Sequence, residues 1–420
     1  MGEKQQFHAR ILHLEENRWW AMVDHRKISF TPDSHQTVSA GDIVLLSGVQ
    51  TNCSPWKVDD VSVLQKYAGE ETFPPLHSDW HRFHSEGGPS FDVARRMSQV
   101  KALIRTFFTK QNFIEVDTPS VGMSPGLEVH LEAMEVNTRP GPDLPFEKRW
   151  LMTSPEYHMK RLLSADFDAI FQMGKAFRSG EVGPFHNPEF LMLEWYRAFA
   201  PWSSGPEDTR LLVQELTRAV CDSDEMPGWE EPIDVSGNWK HLTVREAIIQ
   251  WAGFDPEPWN DGERIKRKAE ESGIRFSSQE TNTADYVVRL LVEKVEPNLP
   301  KNRPFVLTHY PECTASLARR SAEIPGTAER FEIYLGGIEL ANGFGELTDW
   351  KEQLSRFEDD LSERKRMDMP VYPIDERFID SMKTGIPPSM GIALGVDRLA
   401  LGLLGLSSLS QLLLFPVPRN

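Results

Sequence analysis

Apolar and polar residues alternate in short runs through the first 65 positions, and the spacing changes to threes and fours from residue 90 onward. Alternation with period two marks half-buried strands. The runs predict strands at Phe7–Leu14, Trp19–Val23, Lys27–Phe30, Asp42–Val49 and Trp56–Leu64, parted by turn clusters such as Thr31-Pro32-Asp33-Ser34 and Ser39-Ala40-Gly41-Asp42. Five short strands predict a small all-β barrel over residues 1–75, OB-like in the leading reading. Residues 76–90, with Gly87-Gly88-Pro89, read as a linker. A helix is expected over Ser90–Gln111, where Phe91, Ala94, Met97, Val100, Leu103, Ile104 and Phe107 recur at helical spacing. Strands at 169–178, 189–197, 331–335 and 338–342 form two hairpins in this reading, so their pairing is antiparallel. Between them residues 204–300 are mostly helical in pattern, as in Val244–Trp251 and Thr283–Val295. The fold class predicted for residues 91–420 is α+β, an antiparallel sheet flanked by helices.

The formal charge argues against a broad basic face for nucleic acid: 63 acidic residues against 46 basic give −17 over 420 residues. Residues 1–71 alone hold seven Lys/Arg and ten Asp/Glu, 7 − 10 = −3, so any phosphate-tracking groove there would be local. Docking or packing is an equal reading of the barrel. Cys53, Cys221 and Cys313 have no CxxC spacing, which excludes a disulfide framework or zinc ribbon and suits a reducing, cytoplasmic setting. The first residues lack the apolar core of a signal peptide. Leu399–Pro418 is an uncharged run of spanning length, but its serines and prolines divide it; a buried helix followed by a buried strand is expected instead. His77, His81 and His84 imitate a metal cluster without completing a ligand set.

Four stretches carry chemistry. On the strand HNPEFLMLEWYR, Phe190, Met192, Glu194 and Tyr196 share one face, and Leu191, Leu193 and Trp195 share the other. The apolar face should pack against helices. The mixed face sets Glu194 on an aromatic floor, where a carboxylate needs a cation or donors. Arg178, ending the partner strand, suits a carboxylate or phosphate; a structural Arg–Glu pair is the plain alternative. In FEIYLGGIELANGFGELTD, Glu339 and Glu346 sit among apolar residues and could repel, share a proton or hold a divalent cation. In GIALGVDRLALGLLG, Gly391 and Gly395 allow close backbone approach, and Arg398 needs an anion, either Asp397 or a ligand phosphate. In WLMTSPEYHMKRLL, Ser154 and Pro155 predict a helix start, with Glu156 in the first turn to favour the macrodipole or bind an amine.

Taken in order, these stretches resemble the class II aminoacyl-tRNA synthetases of the lysyl, aspartyl and asparaginyl subgroup. Their first motif is similar to Phe107-Phe108 through Phe113-Ile114-Glu115-Val116-Asp117-Thr118-Pro119. The second resembles Phe177-Arg178 and His186-Asn187-Pro188-Glu189-Phe190 through Glu194, and the third Gly395-Val396-Asp397-Arg398-Leu399. The likeness covers residues 90–420 and is strongest to truncated lysyl-tRNA synthetase paralogues that attach (R)-β-lysine to a lysine of elongation factor P. Thr348 and Ala393 replace the synthetases' usual Asn and middle Gly, and both positions would face the amino-acid pocket.

The resemblance implies ATP and magnesium, lysine or β-lysine as substrate, elongation factor P as acceptor (tRNA being the alternative), and a homodimer. It implies that Arg178 and Arg398 are catalytic. ATP would be held by Arg178, Glu181, His186, Asn187, Phe190, Glu339, Leu340, Gly395 and Arg398. The amino acid would be met by Ser154, Glu156, Glu194, Tyr196, Asn342, Glu346, Thr348, Glu352 and Ala393, and magnesium by Glu339 and Glu346. Two departures stand out. Arg178-Ser179-Gly180-Glu181 replaces the paralogues' Arg-Asn-Glu, with Glu181 one residue displaced, and the chain carries an N-terminal module they lack. A lysyl-tRNA synthetase with a shortened anticodon module and a non-catalytic synthetase-like regulator are the competing readings.

Overall fold

A computed structural model describes residues 4–15, 18–32, 37–49, 56–76, 78–84 and 90–417. The chain divides into two compact units, Met1–Ala94 and Arg95–Asn420.

The first unit is built from β1 (Gln5–Glu15), β2 (Arg18–Val23), β3 (Arg26–Pro32), β4 (Ile43–Val49) and β5 (Trp56–Gln65). Because β1 pairs with both β2 and β4, the strands close into a barrel in the order β1-β2-β3-β5-β4. The alternation seen in the sequence is the inside-outside alternation of this barrel: Ile11, Ala21, Phe30, Val44, Leu46 and Val61 point inward and are buried. Of the three histidines, His81 and His84 lie on one short helix, Asp79–His84, where His84 Nδ1 contacts the Trp80 carbonyl at 2.7 Å. His77 falls outside the described residues, and among those described no group of three His, Cys, Asp or Glu converges as a metal site.

The second unit is organised by an eight-stranded sheet. In chain order its strands are β6 (Ile114–Glu115), β7 (Ala169–Phe177), β8 (Glu189–Ala198), β9 (Lys240–Thr243), β10 (Phe305–Pro311), β11 (Thr327–Leu335), β12 (Ile338–Gly345) and β13 (Ser389–Gly395). Their spatial order is β9-β10-β11-β12-β13-β8-β7-β6. Both expected hairpins form, β7 with β8 and β11 with β12, and the six inner strands are antiparallel. Only the outermost pairs, β9–β10 and β6–β7, are parallel.

The helices that matter for the cleft are α1 (Phe91–Lys110), α2 (Glu156–Leu163), α3 (Ser204–Cys221), α4 (Val244–Ala252), α5 (Thr283–Leu290), α6 (Trp350–Arg366) and α7 (Val396–Leu404). As expected, the apolar face of β8 meets helices: Trp195 is fully buried, with its ring 5.2 Å from that of Phe108 on α1. Two local expectations are corrected. The helix read as Thr283–Val295 is α-helical only to Leu290 and continues as a π-turn over Leu291–Val295. After α7 the chain turns at Gly405 (φ +67°) into one helical turn, Leu409–Leu412, and the expected C-terminal strand does not form. Among the described residues no helix is long and apolar enough to cross a membrane.

Candidate active site

Strand register assembles the site. Gln172, Glu194, Ala393, Asn342 and Glu332 stand opposite one another in a single row across β7, β8, β13, β12 and β11. The neighbouring row runs Tyr196, Gly391, Phe344 and Arg330. Side chains of one row on one face are neighbours, so Glu194 and Ala393, 393 − 194 = 199 positions apart in sequence, meet. All of them but Gln172 floor a cavity of about 480 Å³.

One end of the cavity is cationic. Arg178 follows β7 and lies over the Phe190 ring, its Cζ 5.2 Å from the centroid. Glu181 is 3.7 Å from its Nη1, across a turn that Gly180 makes at φ +77°. Arg398, in the first turn of α7, donates to the Glu339 carbonyl (2.7 Å) and the Phe185 carbonyl (3.4 Å), and its Nη2 lies 2.7 Å from His186 Nε2. Burial and Arg398 hold the His186 imidazole below its usual range, so it meets the guanidinium as a neutral ring. Asp397 is not the anion for Arg398: its carboxylate is turned inward to accept from the Leu191 amide (2.8 Å). Among the described residues no carboxylate pairs with Arg398, which leaves its charge for a ligand anion. Asn187 lines the cavity while holding the loop, donating to the Glu189 carbonyl (2.7 Å) and accepting from the Val417 amide (3.1 Å).

The acids divide differently from the expectation. Glu339 and Glu346 are seven residues apart on and just past β12, about 20 Å of extended chain, too far to share one cation. Glu339 instead faces Glu332, which sequence reasoning missed. Burial and the Glu332 charge push the Glu339 carboxyl up to about 7, against the pull of Arg398, Arg330 and Arg178. Glu332 accepts from Arg330 Nη2 and Tyr334 Oη, both at 2.7 Å. Two opposed acids beside two guanidiniums fit a magnesium ion carried in on phosphates, which needs only one or two protein carboxylates. The signal was present in the sequence as the alternation Arg330, Glu332, Tyr334 on one strand face.

Glu346 belongs to the opposite, anionic end. Its Oε2 is 2.5 Å from Lys160 Nζ, and Lys160 also bonds Glu156 Oε1 at 2.5 Å. Glu194 accepts from Ser154 Oγ and from Tyr196 Oη (3.1 Å). The helix α2 starts one residue later than expected, at Glu156, and Ser154 Oγ still accepts from the Glu156 amide (3.0 Å). Burial, then the Glu156 charge, raises the Glu194 carboxyl to about 8; burial raises Glu346 to about 7 despite Lys160. Asn342 Oδ1 and Glu346 Oε1 are buried without a hydrogen-bond partner. Such atoms are costly unless a ligand completes them.

Gly391 is fixed by protein packing: a Cβ there would lie 2.1 Å from Glu346 Oε1 and 2.3 Å from Tyr196 Cε1. Leu340, Ala393 and Gly395 line the cavity as expected. Thr348 and Glu352 do not line it. Thr348 lies beyond β12, and the Glu352 carboxylate is taken by Arg320 (3.0 Å) and Arg356 (2.6 Å) outside the cleft. Glu128, Asp360, Ala284 and Val288 also line the cavity. Arg364, fully buried, clamps this wall by donating to the carbonyls of Glu128, Val129 and Leu131.

The sequence that builds this cleft is similar to those of known proteins. The family model described as tRNA synthetases class II (D, K and N) matches residues 91–419. A protein of Proteus mirabilis named elongation factor P–(R)-β-lysine ligase is 38% identical over 335 residues, 79% of this chain and 97% of its own length. Proteins of the same name from Yersinia enterocolitica (37%, 79% of this chain and 97% of the relative) and Buchnera aphidicola (36%, 78% and 96%) are similar to the same extent. This chain therefore belongs to the class II tRNA synthetase family of the D, K and N type.

Proposed function

We propose that this protein is an ATP-dependent ligase that activates lysine or β-lysine as an aminoacyl-adenylate and transfers it to a lysine side chain of elongation factor P. The observation that carries this reading is the charge at the anionic end. Glu156, Glu194 and Glu346 surround one ammonium, Lys160, so the ionised cage carries 1 − 3 = −2. An amino acid with two ammonium groups neutralises it, while its carboxylate extends toward Arg178. The names of the relatives support the acceptor.

In the first step a carboxylate oxygen attacks the α-phosphorus of ATP in line, the bond to the β-phosphate oxygen breaks, and pyrophosphate leaves. No protein nucleophile is needed, so the work is positioning and charge neutralisation. In this reading Arg178 bridges the substrate carboxylate and α-phosphate. Phe190 stacks the adenine and Arg398, supported by His186, takes the terminal phosphates. Glu339 with Glu332 would hold magnesium, which when bound supplies positive charge between the phosphates. In the second step the acceptor ammonium gives up one proton, the resulting amine attacks the acyl carbonyl, the bond from that carbon to the phosphate oxygen breaks so that AMP leaves, and the nitrogen loses its second proton as the amide forms.

The test is amino-acid-dependent ATP–pyrophosphate exchange with α-lysine and both β-lysine enantiomers, followed by transfer to elongation factor P and to tRNA. Exchange favouring β-lysine with labelling of elongation factor P is expected; labelling of tRNA alone would return the lysyl-tRNA synthetase reading, and absence of exchange the non-catalytic one.

A further inference from the structure

Lys160 is 1% exposed and does not line the cleft; it meets Glu156 and Glu346 from behind. A lysine is almost never this deep unless paired. Glu156 and Lys160 are four apart on α2, a spacing that places them on one helix face. That bond uses one of the ammonium's three donors. An ion pair to Glu346, just past β12, joins the helix to an acid neither of whose oxygens has a hydrogen-bond partner.

We infer that Lys160 is a positioning residue that fixes the net charge of the amine cage and thereby sets its demand for a doubly cationic amino acid. The inference rests on the lysine-activating reading. Three carboxylates in this depth of protein cannot all remain ionised without a counter-charge, because each buried charge raises the proton affinity of the others. With Lys160 present, Glu346 and Glu156 can be anionic together and offer two charge-assisted bonds to the substrate. Without it the cage takes up protons. A protonated carboxyl still bonds an amine, but weakly, and the two ends of a diamine are no longer both read as cations.

The ionisable groups around Glu346 are few. Lys160 and Glu156 face it from α2, and Tyr196 from β8. Arg319 faces it from the segment before β11, but is already engaged by Glu329. Glu194 faces Glu156 and Lys160 from β8. No second cation is placed to replace Lys160 among these. Burial opposes its charge, but Glu156 and Glu346 outweigh burial and hold the ammonium above its ordinary range, so it stays charged wherever the enzyme works.

The discriminating variants are Lys160→Gln, which keeps length and hydrogen bonding but removes charge, and Lys160→Arg, which keeps charge. Lysine-dependent exchange is followed from pH 6 to 9, with the Michaelis constants of amino acid and ATP measured separately. K160Q is expected to raise the amino-acid KM at least tenfold at pH 7 and to move the rising limb of log kcat/KM upward by about one pH unit. The ATP KM should stay within twofold, and K160R should keep the wild-type limb. Proton release on lysine binding, measured by calorimetry in two buffers of different ionisation heat, should be larger for K160Q at pH 7. A folded K160Q with the wild-type limb and amino-acid KM overturns the inference. So does a K160Q that cannot be recovered folded at pH 6, where the cage acids are free to take protons. Exchange by the wild-type enzyme tests the ligase reading; only the difference between wild type and K160Q tests Lys160.

Discussion

At Arg398 a guanidinium is held by two carbonyls and a neutral imidazole while the adjacent Asp397 turns away to a backbone amide. An arginine pointed into a cleft without a counter-carboxylate is prepared for an anion, and its removal acts on the transition state. Arg178→Ala and Arg398→Ala should each lower pyrophosphate exchange by roughly 10²–10³-fold with the melting temperature retained; thermal melting beside exchange kinetics checks both halves. The carboxyls of Glu194 and Glu346 predict the pH dependence. Both are raised, to about 8 and about 7, so they lose protons late, and a dicationic substrate binds the ionised forms. The kcat/KM for the amino acid should therefore rise from pH 6 to 8, and Glu194→Gln should remove the upper part of that rise. Most of these residues are legible one by one because a charged residue inside an apolar run needs a reason. Lys160 was not, since only its pairing with Glu346 on another element gives it a role, and Glu332 was overlooked although its strand-face neighbours Arg330 and Tyr334 marked it.

Among the elements, the hairpins β7–β8 and β11–β12 are readable because one face of each is packed and the other lines a cleft, which leaves a period-two trace. β10 and β13 leave no such trace. β10 is buried at six of its seven positions, and its run FVLTHYP is apolar on both faces. Row alignment across β8, β13 and β12 explains the glycine at 391 better than any ligand does. Gly391→Ala should force Glu346 and Tyr196 aside, destabilising the protein by about 1–3 kcal/mol and raising the amino-acid KM; chemical denaturation and exchange kinetics read the two effects. The capping box of α4, Thr243 with Glu246, offers the contrast. Thr243→Ala should cost about 1 kcal/mol of stability without altering the KM of either substrate.

For the whole molecule, the family match begins at residue 91 and leaves the barrel outside it. We therefore expect a chain starting at residue 91 to retain lysine-dependent exchange, and any contribution of the barrel to be visible only in transfer. The motif resemblance over residues 107–119 implies a homodimer, which we propose for this chain: sedimentation should report twice the chain mass, and the exposed Ile114 on the edge strand β6 is the site for a disrupting charge. The raised acids also make a prediction for stability. Carboxyls whose folded-state pKa exceeds the unfolded value bind more protons when folded, so their contribution falls as pH rises from about 4.5 to 8. Lysine neutralises the same charges, and the melting-temperature increase it gives should be larger at pH 8 than at pH 6. The sequence by itself determined the barrel strands, the two hairpins, the arginines of the cationic end and the acids Glu156, Glu194 and Glu346 of the anionic end as candidates, because periodicity and the placement of charge are local properties of a chain. Only the tertiary structure decided which acids stand together. Register put Glu332 opposite Asn342, and the docking of α2 on the sheet slid Lys160 beneath the cage. Such pairings are set by distances across strands, which no spacing along the chain records.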